Sequence, residues 1–233
     1  MGKLIVLEGL DASGKSTQVK KIKEYFNKNK ITYEHFHFPM YGHNQFSSVI
    51  EKILRGEFGG LNQLDPYFIA TCYAMDRFMF KPELEKALEE NDVVFLDRYV
   101  FSNIAYQCAK CSSDNDKKVL SDWIWDFEFR FLQLPYPQLI LFLDVPIDVI
   151  KERLSEKREG GDRNYLNGKQ DIHEASIQFQ GDVRDQYLNL KNSMNYAIIN
   201  CRIKSKEPGI NLLNPNDVFE NYIEYLDTII KYT

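Results

Sequence analysis

The 233-residue sequence has no apolar stretch near the roughly 20 residues that cross a bilayer, so it offers no candidate transmembrane helix. It has only four cysteines, Cys72, Cys108, Cys111 and Cys201, too few and too scattered for a disulfide framework. Cys108 and Cys111 form one C-x-x-C at an expected helix end. No second Cys or His pair stands at zinc-ligand spacing, so reduced thiols are expected. Positive charge is in deficit, with 29 Lys and Arg against 34 Asp and Glu and a net charge of −5. General affinity for nucleic acid or an anionic membrane rests on basic surface and is not expected here; any phosphate site must be local. The N-terminus lacks the charged and apolar regions of a signal peptide. Val6 stands where N-myristoylation needs Ser or Thr, and a cytoplasmic location is the expectation. The histidines make no Ser/His/Asp or Cys/His constellation, and His35, His37 and His43 read as polar strand or loop residues. An Asn-Lys-x-Asp guanine signature is also missing, which disfavours a GTPase switch.

What is present begins at residue 9. Gly9-Leu10-Asp11-Ala12-Ser13-Gly14-Lys15-Ser16 is a complete G-x-x-x-x-G-K-[ST] phosphate-binding loop, preceded by an apolar run at Leu4 to Leu7 and followed by helical spacing. Backbone N–H groups and a helix N-terminus present positive charge to phosphates there, and glycine lets the backbone approach them. Gly9 and Asp11 to Thr17 are the candidate nucleotide-binding residues. Lys15 would reach the β- and γ-phosphates, and the Ser16 hydroxyl would face Mg²⁺.

Further apolar runs at Tyr33 to Phe38, Val93 to Leu96, Leu139 to Val145 and Tyr196 to Asn200 alternate with helical stretches. This rhythm predicts an α/β fold with a five-stranded parallel sheet flanked by helices. Val19, Ile22 and Phe26 mark the inner stripe of the first helix. Asp65-Pro66 predicts a helix start running past Arg77, with Pro82 interrupting or restarting it. Ser112 to Lys118 reads as a solvated loop. Val218, Tyr222, Leu226 and Ile229 predict a closing helix capped by Asn216 or Asp217.

Ligands of parallel sheets bind at the strands' C-terminal ends. Val93 to Leu96 leads there into Asp97-Arg98-Tyr99, so Asp97 is a candidate Mg²⁺ or metal-water ligand and Arg98 a phosphate clamp. Asp144, after the fourth run, reads as a turn and helix-start residue. Tyr73 and Arg77 share a helix face, suited to stacking a base and bonding its edge, although Arg77 could equally pair with a carboxylate. Ser102, Asn103 and Tyr106 add hydroxyl, amide and phenol groups, and an amide can both donate to and accept from a pyrimidine.

Glu8-Gly9-Leu10-Asp11, the phosphate loop, Phe38-Pro39-Met40-Tyr41-Gly42, Tyr73-Ala74-Met75-Asp76-Arg77, Asp97-Arg98-Tyr99 with Ser102-Asn103, and Leu143-Asp144-Val145-Pro146 together resemble the thymidylate kinase family, in order from about residue 3 to residue 190. The resemblance implies one three-layer P-loop kinase domain over residues 1–233, with a mobile lid at about 153–171. It implies transfer of the γ-phosphoryl group of ATP to dTMP, giving dTDP and ADP with Mg²⁺ on the way to dTTP, by a homodimer packed through helices. By the same resemblance Tyr73 stacks on thymine, Arg77 bonds its O4 and Asn103 its N3 edge. Phe38, Tyr41 and Arg98 frame the sugar and monophosphate, Tyr106 crowds the 2′ position, Asp11 sits near the reacting phosphates, and Tyr165 lies in the lid. Some relatives carry a catalytic arginine where this chain has Ala12. Arg158 or Arg163 of the lid would then supply that charge, Arg163 being the assignment preferred. Another nucleoside monophosphate or deoxynucleoside kinase, and a nucleotide-binding switch without turnover, are the alternative readings.

Overall fold

A computed structural model describes residues 1–61, 63–155, 165–169, 171–174, 176–193, 195–202 and 212–231. Its centre is a sheet of five parallel strands, β1 (Lys3–Gly9), β2 (Tyr33–His37), β3 (Val93–Asp97), β4 (Leu139–Asp144) and β5 (Tyr196–Asn200), in the order β2-β3-β1-β4-β5. β1, β3 and β4 are nearly continuous apolar runs because helices cover both faces, leaving no solvated side to demand alternation. In register, Leu7 lies opposite Asp97 and Gly9 opposite Leu143, so the phosphate loop leaves β1 beside the ends of both its neighbours. The chain goes to one side of β1 first and to the other later, and the reversal opens a crevice at that end.

Helix α1 (Lys15–Lys28) buries Val19, Ile22 and Phe26, the expected stripe. Helix α2 (Gln45–Leu54) starts on an Asn44 capping box, with Asn44 Oδ1 accepting from Phe46 N at 2.8 Å and Ser47 N at 2.9 Å. Helix α3 (Pro66–Met79) starts where expected, its Asp65 carboxylate accepting from Tyr67 N at 2.8 Å and Phe68 N at 3.3 Å. The chain turns at Phe80 and resumes as α4 (Lys81–Glu90), with Pro82 in the first turn, where a missing N–H costs nothing. Helix α5 (Val100–Cys108) follows β3 and packs against α3, α6 (Asp114–Trp125) and α8 (Ile177–Asn189); α7 (Ile147–Ser155) follows β4. Helix α9 (Pro215–Lys231) packs on α1, and Tyr222 Oη donates to Gln18 Oε1 at 2.8 Å.

Two expectations are corrected. Ser112 to Lys118 is no solvated loop: Ser113 Oγ accepts from Asp116 N at 3.1 Å and opens α6, whose first-turn Asp114 and Asp116 suit the helix dipole. The polar composition marked a helix start. The cap of α9 is Asn214, whose Oδ1 accepts from Asn216 N at 2.9 Å and Asp217 N at 3.1 Å, because Pro215 takes the first helical position. α6 runs on into a π-helical turn, Asp126–Phe131, which no sequence signal announced.

Candidate active site

The phosphate loop folds as its residues dictate. A Cβ on Gly9 would stand 2.6 Å from Ser13 Oγ, and Gly14 has φ +93°, a conformation that side chains resist. Ala12 adopts φ 62° despite its Cβ, a strain of roughly 1–2 kcal/mol. Lys15 Nζ folds back to the Gly9 and Leu10 carbonyls at 3.2 and 2.9 Å. Burial, and then the Arg98 charge, push it down to about 8.

A cavity of about 530 Å³ opens over this loop. Asp11 to Thr17, His37, Asp97, Arg98 and Arg153 give it a polar end, and Leu212, Leu213, Pro215 and Val218 an apolar one. That polarity gradient fits a triphosphate joined to a base. Arg153 was anticipated only as the beginning of the lid; its Nη1 donates to the Ala12 carbonyl at 2.9 Å and brings a guanidinium to the loop. His37, expected as an ordinary strand residue, has Nδ1 3.3 Å from Asp97 Oδ2. Burial opposes ionisation of Asp97, but His37, then Lys15 and Arg98, hold its carboxyl below the usual range. Asp97 Oδ1 is buried without a partner among the described residues, and Ser16 is exposed at the same cavity. Two hard oxygens, one of them waiting for a ligand, fit Mg²⁺, which takes one or two protein oxygens plus water and phosphate. Among the described residues no cluster of three or more acidic, His or Cys side chains forms a cage for a metal by itself.

A second cavity adjoins the first, and Phe38, Tyr41, Tyr73, Arg77, Arg98, Ser102, Asn103, Tyr106 and Tyr165 all line it. The structure thus brings together nine residues from four separate stretches of chain. Asp11 and Arg98 belong to both cavities and are joined at 2.6 Å. Asp11 also accepts from Tyr106 Oη at 3.0 Å and Gln180 Nε2 at 3.1 Å. Burial opposes its ionisation, yet Arg98 and then Lys15 hold its carboxyl below the usual range. Arg98, at φ 70° just past β3, also donates to Ser102 Oγ at 3.2 Å and Tyr106 Oη at 3.3 Å. Tyr165 lies over Tyr41 with ring centroids 4.2 Å apart, and about 70 Å³ remains open in this cavity. A nucleotide needs several times that space, so the cavity must widen to admit one.

Arg77 stands at the cavity wall with Tyr73, but its Nε and Nη2 are both committed at 2.6 Å to Glu128 of the π-helical turn. Of the two roles open to it, the carboxylate pair is therefore made, and any bond to a base falls to the N–H donors of Nη1 and Nη2 that Glu128 leaves over. Asp144, expected as a helix-start residue, is instead paired through both oxygens with Arg184 at 2.6 and 3.1 Å. Arg158 and Arg163 lie outside the described residues.

Several site residues went unread in the sequence. Glu8, fully buried, accepts from Tyr99 N at 2.9 Å, Ser102 N at 3.2 Å, Ser102 Oγ at 2.5 Å and Tyr187 Oη at 2.9 Å, capping α5 from the neighbouring strand. Its place in the Glu8-Gly9-Leu10-Asp11 block and at the end of an apolar run are its signals in the sequence, and neither names its partners. Asp76 holds the loop before α2 through Met40 N at 2.9 Å and Asn44 Nδ2 at 2.7 Å. Gln107, one turn beyond Asn103, lines the second cavity. The thiols are not reactive centres: burial, then Cys111, pushes Cys108 up to about 12, and all four are free.

A parallel sheet with a phosphate loop at its topological switch, and a second cavity sharing Asp11 and Arg98 with the first, define a P-loop phosphotransferase. The family model described as thymidylate kinase matches residues 7–207, and the chain belongs to that family. It is 34% identical over 150 residues to the thymidylate kinase of Mycobacterium tuberculosis, covering 64% of this chain and 69% of that one. It is 29% identical over 206 residues to the probable thymidylate kinase 1 of Saccharolobus solfataricus, covering 86% and 89%. The solved thymidylate kinase of Candida albicans superimposes with a TM-score of 0.70 at 23% identity, over 97% of this chain and 92% of that chain, and shares its fold.

Proposed function

We propose that this chain, as one nucleotide-kinase domain in the cytoplasm, transfers the γ-phosphoryl group of ATP to dTMP, giving dTDP and ADP. The observation that carries the reading is the common wall of the two cavities: a triphosphate on the loop and a monophosphate beside Arg98 meet at Asp11 and Arg98. The transferred group spreads negative charge over its oxygens, so catalysis is alignment plus fixed positive charge. Lys15 supplies that charge from the donor side and Arg98 from the acceptor side. The attacking atom is a phosphate oxygen, already ionised at neutral pH, so no strong general base is needed; Asp11 instead holds Arg98 and Tyr106 in place. Asp97 and Ser16 would hold Mg²⁺, which when bound neutralises phosphate charge and aligns the phosphoryl oxygens. Tyr73 stacks on the base, Asn103 and Arg77 bond its edge, Phe38 and Tyr41 frame the nucleotide, and Tyr106 crowds the 2′ position.

Ala12 leaves the loop without an arginine, and Arg163, with Arg158 beside it in sequence, completes the charge from the lid. Arg163→Ala should lower kcat by about 10³-fold or more; near-normal turnover would move the role to Arg158 or Arg153. The chain acts as a homodimer through the aromatic face of α3 and α6, where Tyr67 meets Trp123 and the stack Trp123, Phe127, Phe131 ends in a phenylalanine that is 76% exposed. ADP release with ATP, Mg²⁺ and a panel of nucleoside monophosphates and free nucleosides tests the main reading. dTMP should be preferred, and no turnover with any acceptor would remove the assignment.

A further inference from the structure

Asn103 is buried in α5 with its amide nitrogen held from one side. Nδ2 donates to the Ala70 carbonyl at 3.0 Å and to Glu128 Oε1 at 2.8 Å. Neither partner has a hydrogen to offer: one is a peptide carbonyl, the other a carboxylate bound through both oxygens to Arg77 in a fully buried pair. Turned over, the amide would set its oxygen against two acceptors and lose both bonds. The oxygen is therefore committed to the other direction, and among the described residues Oδ1 has no partner, though it is buried on a residue that lines the second cavity. One helical turn on, Gln107 offers the complement: Oε1 accepts from Lys110 Nζ at 3.0 Å, while Nε2 is buried and unpartnered at the same cavity.

A fixed acceptor beside a free donor matches an N–H next to a carbonyl, which is the edge of a 4-oxo pyrimidine. The N3 of a 4-amino pyrimidine carries no hydrogen and would face Asn103 lone pair to lone pair. Sites built on buried polar groups reject a ligand that leaves them unpaired. We propose that Glu128, delivered by the π-helical turn and touching no substrate, is the positioning residue that sets base selectivity by fixing the polarity of the Asn103 amide. The proposal rests on the reading of this cavity as a pyrimidine monophosphate site.

The test compares kcat and KM for dTMP and dCMP, with ATP and Mg²⁺, in the native chain, Glu128→Ala and Glu128→Gln. Glutamine keeps an oxygen for Asn103; alanine removes it. The dTMP-to-dCMP ratio of kcat/KM should fall by about tenfold or more in the alanine variant, mainly through KM, and stay within about threefold of native in the glutamine variant. If alanine slows both substrates equally and leaves the ratio unchanged, Glu128 only supports the fold and the inference is overturned. Should that variant fail to fold, Glu128→Asp keeps a buried negative charge near Arg77 while drawing both oxygens back by one methylene, which breaks the Asn103 bond, and the same ratio decides. A native chain that phosphorylates neither dTMP nor dCMP overturns the pyrimidine-site reading and this inference together; a native chain that takes both equally, or a native preference kept intact in the alanine variant, overturns the inference alone.

Discussion

Lys15 and Arg77 show how burial changes what a cation does. Lys15 has no carboxylate bonded to it and rests on two carbonyls, so burial and Arg98 pull it down from 10.5 to about 8. Arg77 is equally buried but meets Glu128 through two bonds and remains charged at every accessible pH. A bound triphosphate surrounds Lys15 with negative charge and restores its ammonium form. ATP binding at a pH slightly above 8 should therefore take up a proton, whereas binding near pH 6 should not. Calorimetry in buffers of different ionisation enthalpy reads this directly, and a binding heat independent of buffer above that pH would refute it. The Tyr73 and Arg77 face was legible from spacing alone, but the partner of Arg77 was not, because Glu128 stands 51 residues away on another helix.

Helix ends and loop contacts set where those residues point. Asp65 caps α3, the helix that carries Tyr73 and Arg77, and Asp65→Ala should cost about 1 kcal/mol of stability, seen as a lower urea midpoint at unchanged slope. Asp171 accepts the Tyr165 hydroxyl at 2.8 Å, while His173 N donates to its other oxygen, also at 2.8 Å. Burial, and then the Asp11 charge, push Asp171 up to about 7 from 3.8. The folded chain thus keeps a proton that the unfolded chain releases between those values, so this contribution is full below 3.8 and lost as pH rises through about 7. Between pH about 5 and about 8 the native melting temperature should fall more than that of Asp171→Asn. Parallel curves for the two proteins would show that Asp171 titrates elsewhere. The cap at Asp65 is legible in the sequence because it acts within a few residues; the polar run opening α6 carries the same information in Ser113, but its composition also fits a loop.

At the level of the whole molecule, the sheet order turns a local phosphate loop into a two-substrate site. β3 lies on one side of β1 and β4 on the other, and the adjoining cavities collect residues from the phosphate loop after β1 through α9. No helix among the described residues is long and apolar enough to cross a membrane. The exposed aromatic end of α6 calls for another partner, and the proposed one is a second copy of this chain. Sedimentation equilibrium should give twice the chain mass, and Phe131→Glu, at a side chain with few folded contacts to lose, should shift it towards monomer with the fold intact. A native chain that sediments as a monomer at every concentration ends the dimer reading.

Contiguous sequence by itself determined the phosphate loop, the five strands and the position of Asp97 and Arg98 at the end of the third strand, because loop geometry, apolar runs and caps are interactions within a few residues. It also identified the family through blocks whose order and spacing survive in one dimension. Only the tertiary structure decided which groups meet: Glu128 at Arg77 and Asn103, Gln180 at Asp11 across 169 positions, and Arg153 at Ala12 across 141. A charged or amide side chain carries no mark of its partner in its own neighbourhood. The packing of α5 against α3, α8 and the π-helical turn chooses that partner, and with it the direction in which each polar group faces the ligand.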